Sequence, residues 1–334
     1  MQLQEDKKLY AKETKENVFG ILEQTNGIEL FFVLNKGGEK IIKSVNIADE
    51  QDKEDTSSEE LLNGFENVVK STFYTYDDSL EILKLSSADE RKNGLYYYDL
   101  DELPDELKFM KKVWENPNFE KFNFQDDSLD EIEAFIIVIG NAENKMVLYK
   151  QQYPISLLRR DKYMFTPILH ENRLKKVQQD ILRVDFNFQF CYVKGVFYIS
   201  DIDRMEKICS FHNVIVNEAK KSIKLILEAD ILDNVEVLED ELDNVTFARK
   251  LTRIYKDSKV LGKISKEVIV EFTKKHSYFK KNPLKSTDEN KFILDTKKSK
   301  ETFIKLMNDD FLKSELTNYE YESLAKNGME ENDG

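Results

Sequence analysis

An α+β fold is what this sequence predicts, with antiparallel sheet meanders in the N-terminal and middle parts followed by a mainly helical C-terminal part. Three observations predict it. Glycine-punctuated apolar pairs occur at 28–45 and 134–149, a tract at 182–199 alternates with a period of two, and apolar residues recur every three or four positions after Asp201.

The elements follow in order. Segments 28–34 and 40–45 flank Lys36-Gly37-Gly38, where glycine supplies the positive φ of a tight hairpin. A helix is predicted over 57–70, with Leu61, Leu62, Phe65 and Val69 on one stripe, and another over 104–114, opened by Pro104 and carrying Leu107, Met110, Lys111 and Trp114. Periodicity fades through Asn116-Pro117-Asn118 and Asp126-Asp127-Ser128, so a boundary is expected there. It divides an N-terminal mixed α+β domain (1–128) from a second domain (129–328), with a frayed tail at 329–334. In the second domain, 134–139 and 146–149 flank Gly140-Asn141. Leu182, Val184, Phe186 and Phe188 then alternate with polar residues before 191–199 folds back at Lys194-Gly195, as in a meander with one buried face. Helices are predicted over 201–211, 214–230, 237–261 and 299–307, with a short strand at 292–294. Thr317 and Glu320 have capping-box spacing, and Asn327-Gly328 is a helix stop.

At 334 residues, with 40% hydrophobic and 11% aromatic content, the chain can bury a substantial core under a heavily charged surface. The N-terminus lacks the layout of a signal peptide, and the longest strongly apolar run, 134–140, is too short to span a bilayer. Cys191 and Cys209 fit neither a disulfide framework nor a zinc knuckle, so a reducing cytoplasm is expected, without cofactor.

Known catalytic patterns are mostly absent. Gly262-Lys263 lacks the upstream glycine and following hydroxyl of a phosphate-binding loop, and no dinucleotide fingerprint or nucleophile elbow occurs. His170, His212 and His276 have no metal-ligand spacing, and isolated histidines are usually structural or exposed. Glu218-Ala219-Lys220, with Asp201 or Asp203 upstream, fits the acidic and E-x-K elements of metal-dependent nucleases. Such triplets also arise by chance in a chain rich in Glu and Lys, and Glu218 and Lys220 sit in what reads as a solvated helix face.

Charge is the better lead. The net charge is −14, yet 249–300 holds 16 Lys and Arg against 6 Asp and Glu. A uniformly negative field repels phosphate, whereas a segregated basic tract is the form a polyanion site takes in an acidic protein. On a helical projection Phe247, Ala248, Leu251, Ile254 and Tyr255 share one arc, with Arg249, Lys250, Arg253 and Lys256 opposite. One face is expected to pack and the other to meet phosphate. Lys274, Lys275, Lys280 and Lys281 are interleaved with His276, Tyr278 and Phe279, a mixture suited to contacting phosphates and stacking on bases. A second cluster comprises Arg159, Arg160, Lys162, Arg173, Lys175 and Lys176. The competing reading is that these cations only solubilise, or pair with the acidic block 228–243, which has eight carboxylates and no basic residue.

The string Leu306-Met307-Asn308-Asp309-Asp310-Phe311-Leu312-Lys313-Ser314-Glu315-Leu316-Thr317, followed by Tyr321 and Lys326, resembles the closing signature of the KwaB-like family, the B components of the Kiwa anti-phage defence system. The pair of segments with Asp185, Phe186, Gly195, Val196, Tyr198 and Ile199, followed by Met205-Glu206-Lys207, is similar to the family's middle section. The likeness covers about 130–326 and carries no catalytic residues over. It implies a cytoplasmic, self-associating protein, a homodimer or larger homo-oligomer, recruited to the inner membrane face by a multi-pass membrane protein. It also implies DNA binding and interference with invading phage. The alternatives from the residues themselves are an adaptor that docks on an acidic partner or anionic membrane surface, and a metal-dependent nuclease. Asp309, Asp310, Ser314 and Thr317 are also residue types that cap and end helices.

Overall fold

The computed structural model describes residues 2–48, 56–74, 82–85, 94–153, 157–158, 165–168, 173–176, 180–208 and 211–322. The fold is α+β. In chain order come α1 (Gln2–Glu23), β1 (Gly27–Lys36), β2 (Glu39–Val45), α2 (Ser57–Phe73), β3 (Ile82–Lys84), β4 (Leu95–Tyr97) and α3 (Asp105–Glu115). After a 3-10 turn, Leu129–Glu131, follow β5 (Ile132–Gly140), β6 (Lys145–Gln151), β7 (Leu157–Leu158), β8 (Phe165–Ile168), β9 (Arg173–Lys176), β10 (Ile181–Leu182), β11 (Phe190–Val193) and β12 (Val196–Ile199). Then come α4 (Ile202–Ile208), α5 (Phe211–Glu228), α6 (Glu236–Glu239), α7 (Val245–Asp257), α8 (Lys266–Lys275), α9 (Ser277–Lys281), β13 (Lys285–Ser286), β14 (Phe292–Ile293), α10 (Lys297–Met307), β15 (Phe311–Lys313) and β16 (Glu320–Glu322).

Eight strands form the central sheet, in the order β2-β1-β5-β6-β11-β12-β4-β3, antiparallel except for the β3–β4 pair. The sheet runs across position 128, since β1 pairs along its length with β5 and β12 pairs with β4. Both faces are covered, where the sequence predicted one. Phe31, Val33, Ala134, Ile136 and Val138 join a core with α3, α5, α7 and α10, while Phe32, Leu34, Phe135, Ile137 and Ile139 join a second core with α1 and α2. That two-sided burial explains why β5 is an unbroken apolar run rather than an alternating one.

Three other expectations change. The tract 183–189 is not strand: Phe186 leaves the ladder to set its ring edge-on to Phe65 of α2, over Gly64, where an added Cβ would lie 2.2 Å from the ring. The helix predicted over 237–261 is two helices, because Asn244 caps α7 by accepting from Phe247 N at 3.3 Å. No helix starts at Thr317. Ser314, Thr317 and Asn318, the last at φ 57°, instead form the turn between β15 and β16, and the Glu320 carboxylate accepts from Ser277 N at 2.6 Å. The predicted stop at Asn327-Gly328 and the tail lie outside the described residues.

Candidate nucleic-acid interface

Helix α7 is wedged between α5 and α10, which decides the fate of its basic face. Ser222 of α5 donates to Leu251 O and accepts from Tyr255 N at 3.0 Å, fixing the two helices side by side. Phe247, Ala248, Leu251 and Ile254 are buried as predicted, but Arg249 and Arg253 are buried too, at 4% and 6% exposure. This corrects the expectation that both arginines face solvent. Arg253 donates to Asp310 Oδ1 at 3.1 Å, in the turn that ends α10. Burial lowers the pKa of the Arg249 guanidinium, although an arginine stays charged at any physiological pH. Lys256 is turned onto Asp101, from the loop before α3. Of the four predicted α7 cations, Lys250 is the exposed one, and it carries no ion pair among the described residues. Tyr255, placed with the packing residues by the projection, is exposed.

Part of the basic tract pairs with the acidic block, as the competing reading holds. Lys266 and Lys291 reach Asp230 at 3.0 and 2.8 Å, and Lys300 reaches Glu241 at 2.9 Å. Lys285 pairs with Asp295 at 2.5 Å.

The cations of α8 and α9 fare differently. Lys274 and Lys275 end α8, Lys280 and Lys281 end α9, and only His276 separates the two helices. All four are exposed. Their position suits the negative ends of the helix dipoles. Lys275 pairs with Glu271 at 2.5 Å with both side chains mostly in solvent, where water and salt screen the attraction. Lys274, Lys280 and Lys281 make no ion pair among the described residues. The interleaved aromatics do not line the surface with them. His276 and Phe279 are buried, and Tyr278 is partly buried, its ring 4.6 Å from that of Phe311. Base stacking by His276 and Phe279 is therefore corrected: they are the packing under the lysines.

Of the second cluster, Arg159, Arg160 and Lys162 lie outside the described residues, whereas Arg173, Lys175 and Lys176 are exposed on β9.

The E-x-K triplet is divided. Lys220 is exposed, but Glu218, expected on a solvated face, is fully buried and accepts from Lys221 Nζ at 2.6 Å. The sequence signal was available, since Ile215, Glu218 and Ser222 share one buried stripe of α5. No group of three His, Cys, Asp or Glu side chains among the described residues could hold a metal ion. Burial raises the pKa of the Cys191 thiol. Cys209 and His170 fall outside the described residues. A groove lined by Ile28, Phe31, Ser44, Asn46, Ile47 and Pro117 contains none of the predicted site residues. No helix among the described residues is long and apolar enough to cross a membrane.

Sequence reasoning missed Lys221 and Asp101. Asp101 takes both Lys221, at 3.0 Å, and Lys256, and the neighbouring Glu102 accepts from Asn217 at 3.1 Å. The only local hint was the acidic run Asp99, Asp101 and Glu102 before Pro104.

Comparison with known proteins gives two matches. The family described as "Kiwa protein KwaB-like" matches residues 129–317, from the start of the 3-10 turn to the turn after β15. The Kiwa protein KwaB of Escherichia coli O55:H7 (strain RM12579 / EPEC) is 28% identical over 323 residues, 96% of this chain and 99% of that protein. No solved structure matches. With more than half of its length matched, the chain belongs to the KwaB-like family of the Kiwa anti-phage defence system.

Proposed function

We propose that this Kiwa component binds DNA largely without sequence specificity, through phosphate contacts made by Lys274, Lys275, Lys280 and Lys281, with Lys250 contributing. The observation that carries this reading is the concentration of exposed, lightly paired lysines at the ends of two consecutive helices, in a protein of net charge −14. Lysine offers a point charge and no bidentate fork, so it holds backbone phosphate and reads no base. Interference with invading phage then follows from occupancy of its DNA. Arg249 and Arg253 are buried, Arg253 on Asp310, so neither is assigned a phosphate contact. Arg159, Arg160 and Lys162 remain candidates for a second contact, as do the exposed Arg173, Lys175 and Lys176 of β9.

Each phosphate contact contributes about −0.9 to the slope of log binding constant against log salt, so four contacts weaken binding roughly a hundredfold between 50 and 200 mM salt. Replacing Lys274, Lys275, Lys280 and Lys281 with alanine is expected to flatten that slope by about 3 to 4 in duplex-DNA anisotropy titrations. An unchanged slope would remove the reading. Family membership also supports partners inside the defence system, a multi-pass membrane protein and further copies of this chain, on the cytoplasmic side of the membrane. Pull-down of the membrane component without any DNA binding would favour an adaptor role instead.

A further inference from the structure

The α5–α7 junction places two lysines on one carboxylate. Lys221 Nζ lies 3.0 Å from Asp101 Oδ2, and Lys256 Nζ bonds Asp101 Oδ1. Both ammonium groups also sit near the Tyr255 ring, 5.4 and 5.6 Å from its centroid. Beneath them, Glu218 is fully buried and holds Lys221 at 2.6 Å. Ser222 locks α5 to α7 through Leu251 O and Tyr255 N, which fixes the spacing of the two lysines' backbone positions. Asp101 is different: its side chain is 46% exposed, in a loop anchored by buried Leu100 and Pro104. A rotation about its side-chain bonds returns it to water without moving the loop.

Charge balance limits what can replace it. Glu218, Asp101, Lys221 and Lys256 by themselves sum to zero, so removal of the Asp101 carboxylate leaves one positive charge on these side chains, with the carboxylates of Asp99 and Glu102 nearby around Tyr98 and Asn217. A phosphodiester carries one negative charge, and its two free oxygens match the two ammonium groups that Asp101 now occupies with its own two oxygens. Lysine pairs of this kind recognise phosphate as point charges.

We propose that Lys221 and Lys256, beside Tyr255, form a phosphate-binding site for a nucleic-acid phosphodiester, and that Asp101 occupies it in the free chain as an internal competitor. This deepens the DNA reading and rests on it. Asp101 thereby sets the affinity of the free protein below that of which its lysines are capable, and DNA must displace the carboxylate to gain those two contacts. The competitor comes from outside the family-matched residues, while both lysines lie within them.

The test uses the full chain and its Asp101→Asn and Asp101→Ala variants, each first checked for an unchanged thermal melt. Asp101→Asn keeps the shape of the side chain and removes its charge, so it serves if the alanine variant folds poorly. With duplex DNA, both variants are expected to bind about tenfold tighter at 100 mM salt and to steepen the salt slope by about 1 to 2, as two further lysines become available. Adding Lys256→Ala to either variant should remove most of the gain. Inorganic pyrophosphate, titrated calorimetrically, separates the two readings. If DNA binds the wild type and the variants alike, the competitor is overturned and the DNA reading stands. If no protein binds DNA, the DNA reading fails; pyrophosphate binding gained on Asp101 substitution and lost with Lys256→Ala would still uphold the anion site. Equal or absent pyrophosphate binding in that case would overturn it.

Discussion

Asp310→Ala is expected to destabilise the protein by about 3–5 kcal/mol, because it removes the carboxylate opposite a buried guanidinium. The Arg253 and Asp310 side chains are 7% and 6% exposed, and their 3.1 Å contact joins the middle of α7 to the turn that ends α10. The same turn is anchored by its backbone, Asp310 N donating to Lys305 O at 3.0 Å and Asp309 adopting φ 58°. Burial and the adjacent Asp310 raise the pKa of the Asp309 carboxyl. Breaking one side of a buried pair costs more than replacing both, since a single substitution takes the Asp310 carboxylate away from a guanidinium that stays buried. The double variant Arg253→Met with Asp310→Leu should therefore recover much of the loss. Chemical denaturation of Asp310→Ala, together with a double-mutant cycle of wild type, Arg253→Met, Asp310→Leu and their double variant, measures this, and a loss below about 1 kcal/mol for Asp310→Ala would mean that the pair is not buried in solution.

Asp127→Ala is expected to cost about 2–4 kcal/mol at neutral pH and progressively less in acid. Its side chain is 3% exposed and accepts from Lys36 Nζ at 2.8 Å, Lys43 Nζ at 2.9 Å and Asn123 N at 2.9 Å, tying the β1–β2 hairpin to the segment before β5. The Lys36 ammonium, the Asn123 amide and then the Lys43 ammonium hold its carboxyl well below the usual carboxylate range. A carboxylate with a depressed folded-state pKa stabilises fully above its unfolded pKa of about 3.9, and that contribution is lost as pH falls below it. Wild type and variant should therefore differ most above about pH 5 and converge on acidification. Urea midpoints followed from pH 7 to pH 3 test this, and a constant difference would contradict it.

The sheet was legible where glycine turns and period-two runs coincide, as at 28–45, 134–149 and 191–199. It was misread where a side chain left the ladder to pack elsewhere, as Phe186 does on α2. One-sided burial was expected because local patterns do not reveal that α1 and α2 return to cover the second face.

The candidate site shows the same limit in charge. Segregation of Lys and Arg into 249–300 is a property of the sequence, but their availability depends on partners far away along it. Arg253 finds Asp310 57 residues on, and Lys256 finds Asp101 155 residues back. A helical projection gives the angle of each side chain and nothing about what lies over it; α10 and the 98–103 loop lie over the predicted basic face. The lysines of α8 and α9 escape because they end short helices whose aromatic faces are spent on packing around Phe311.

Lysine reactivity toward acetic anhydride, read for each residue by mass spectrometry with and without duplex DNA, tests the central claim most directly. Lys274, Lys275, Lys280 and Lys281 should be protected by DNA, with Lys250 following, while exposed lysines such as Lys12 and Lys108 stay reactive. Equal reactivity of the α8 and α9 lysines in the presence and absence of bound DNA would contradict the account.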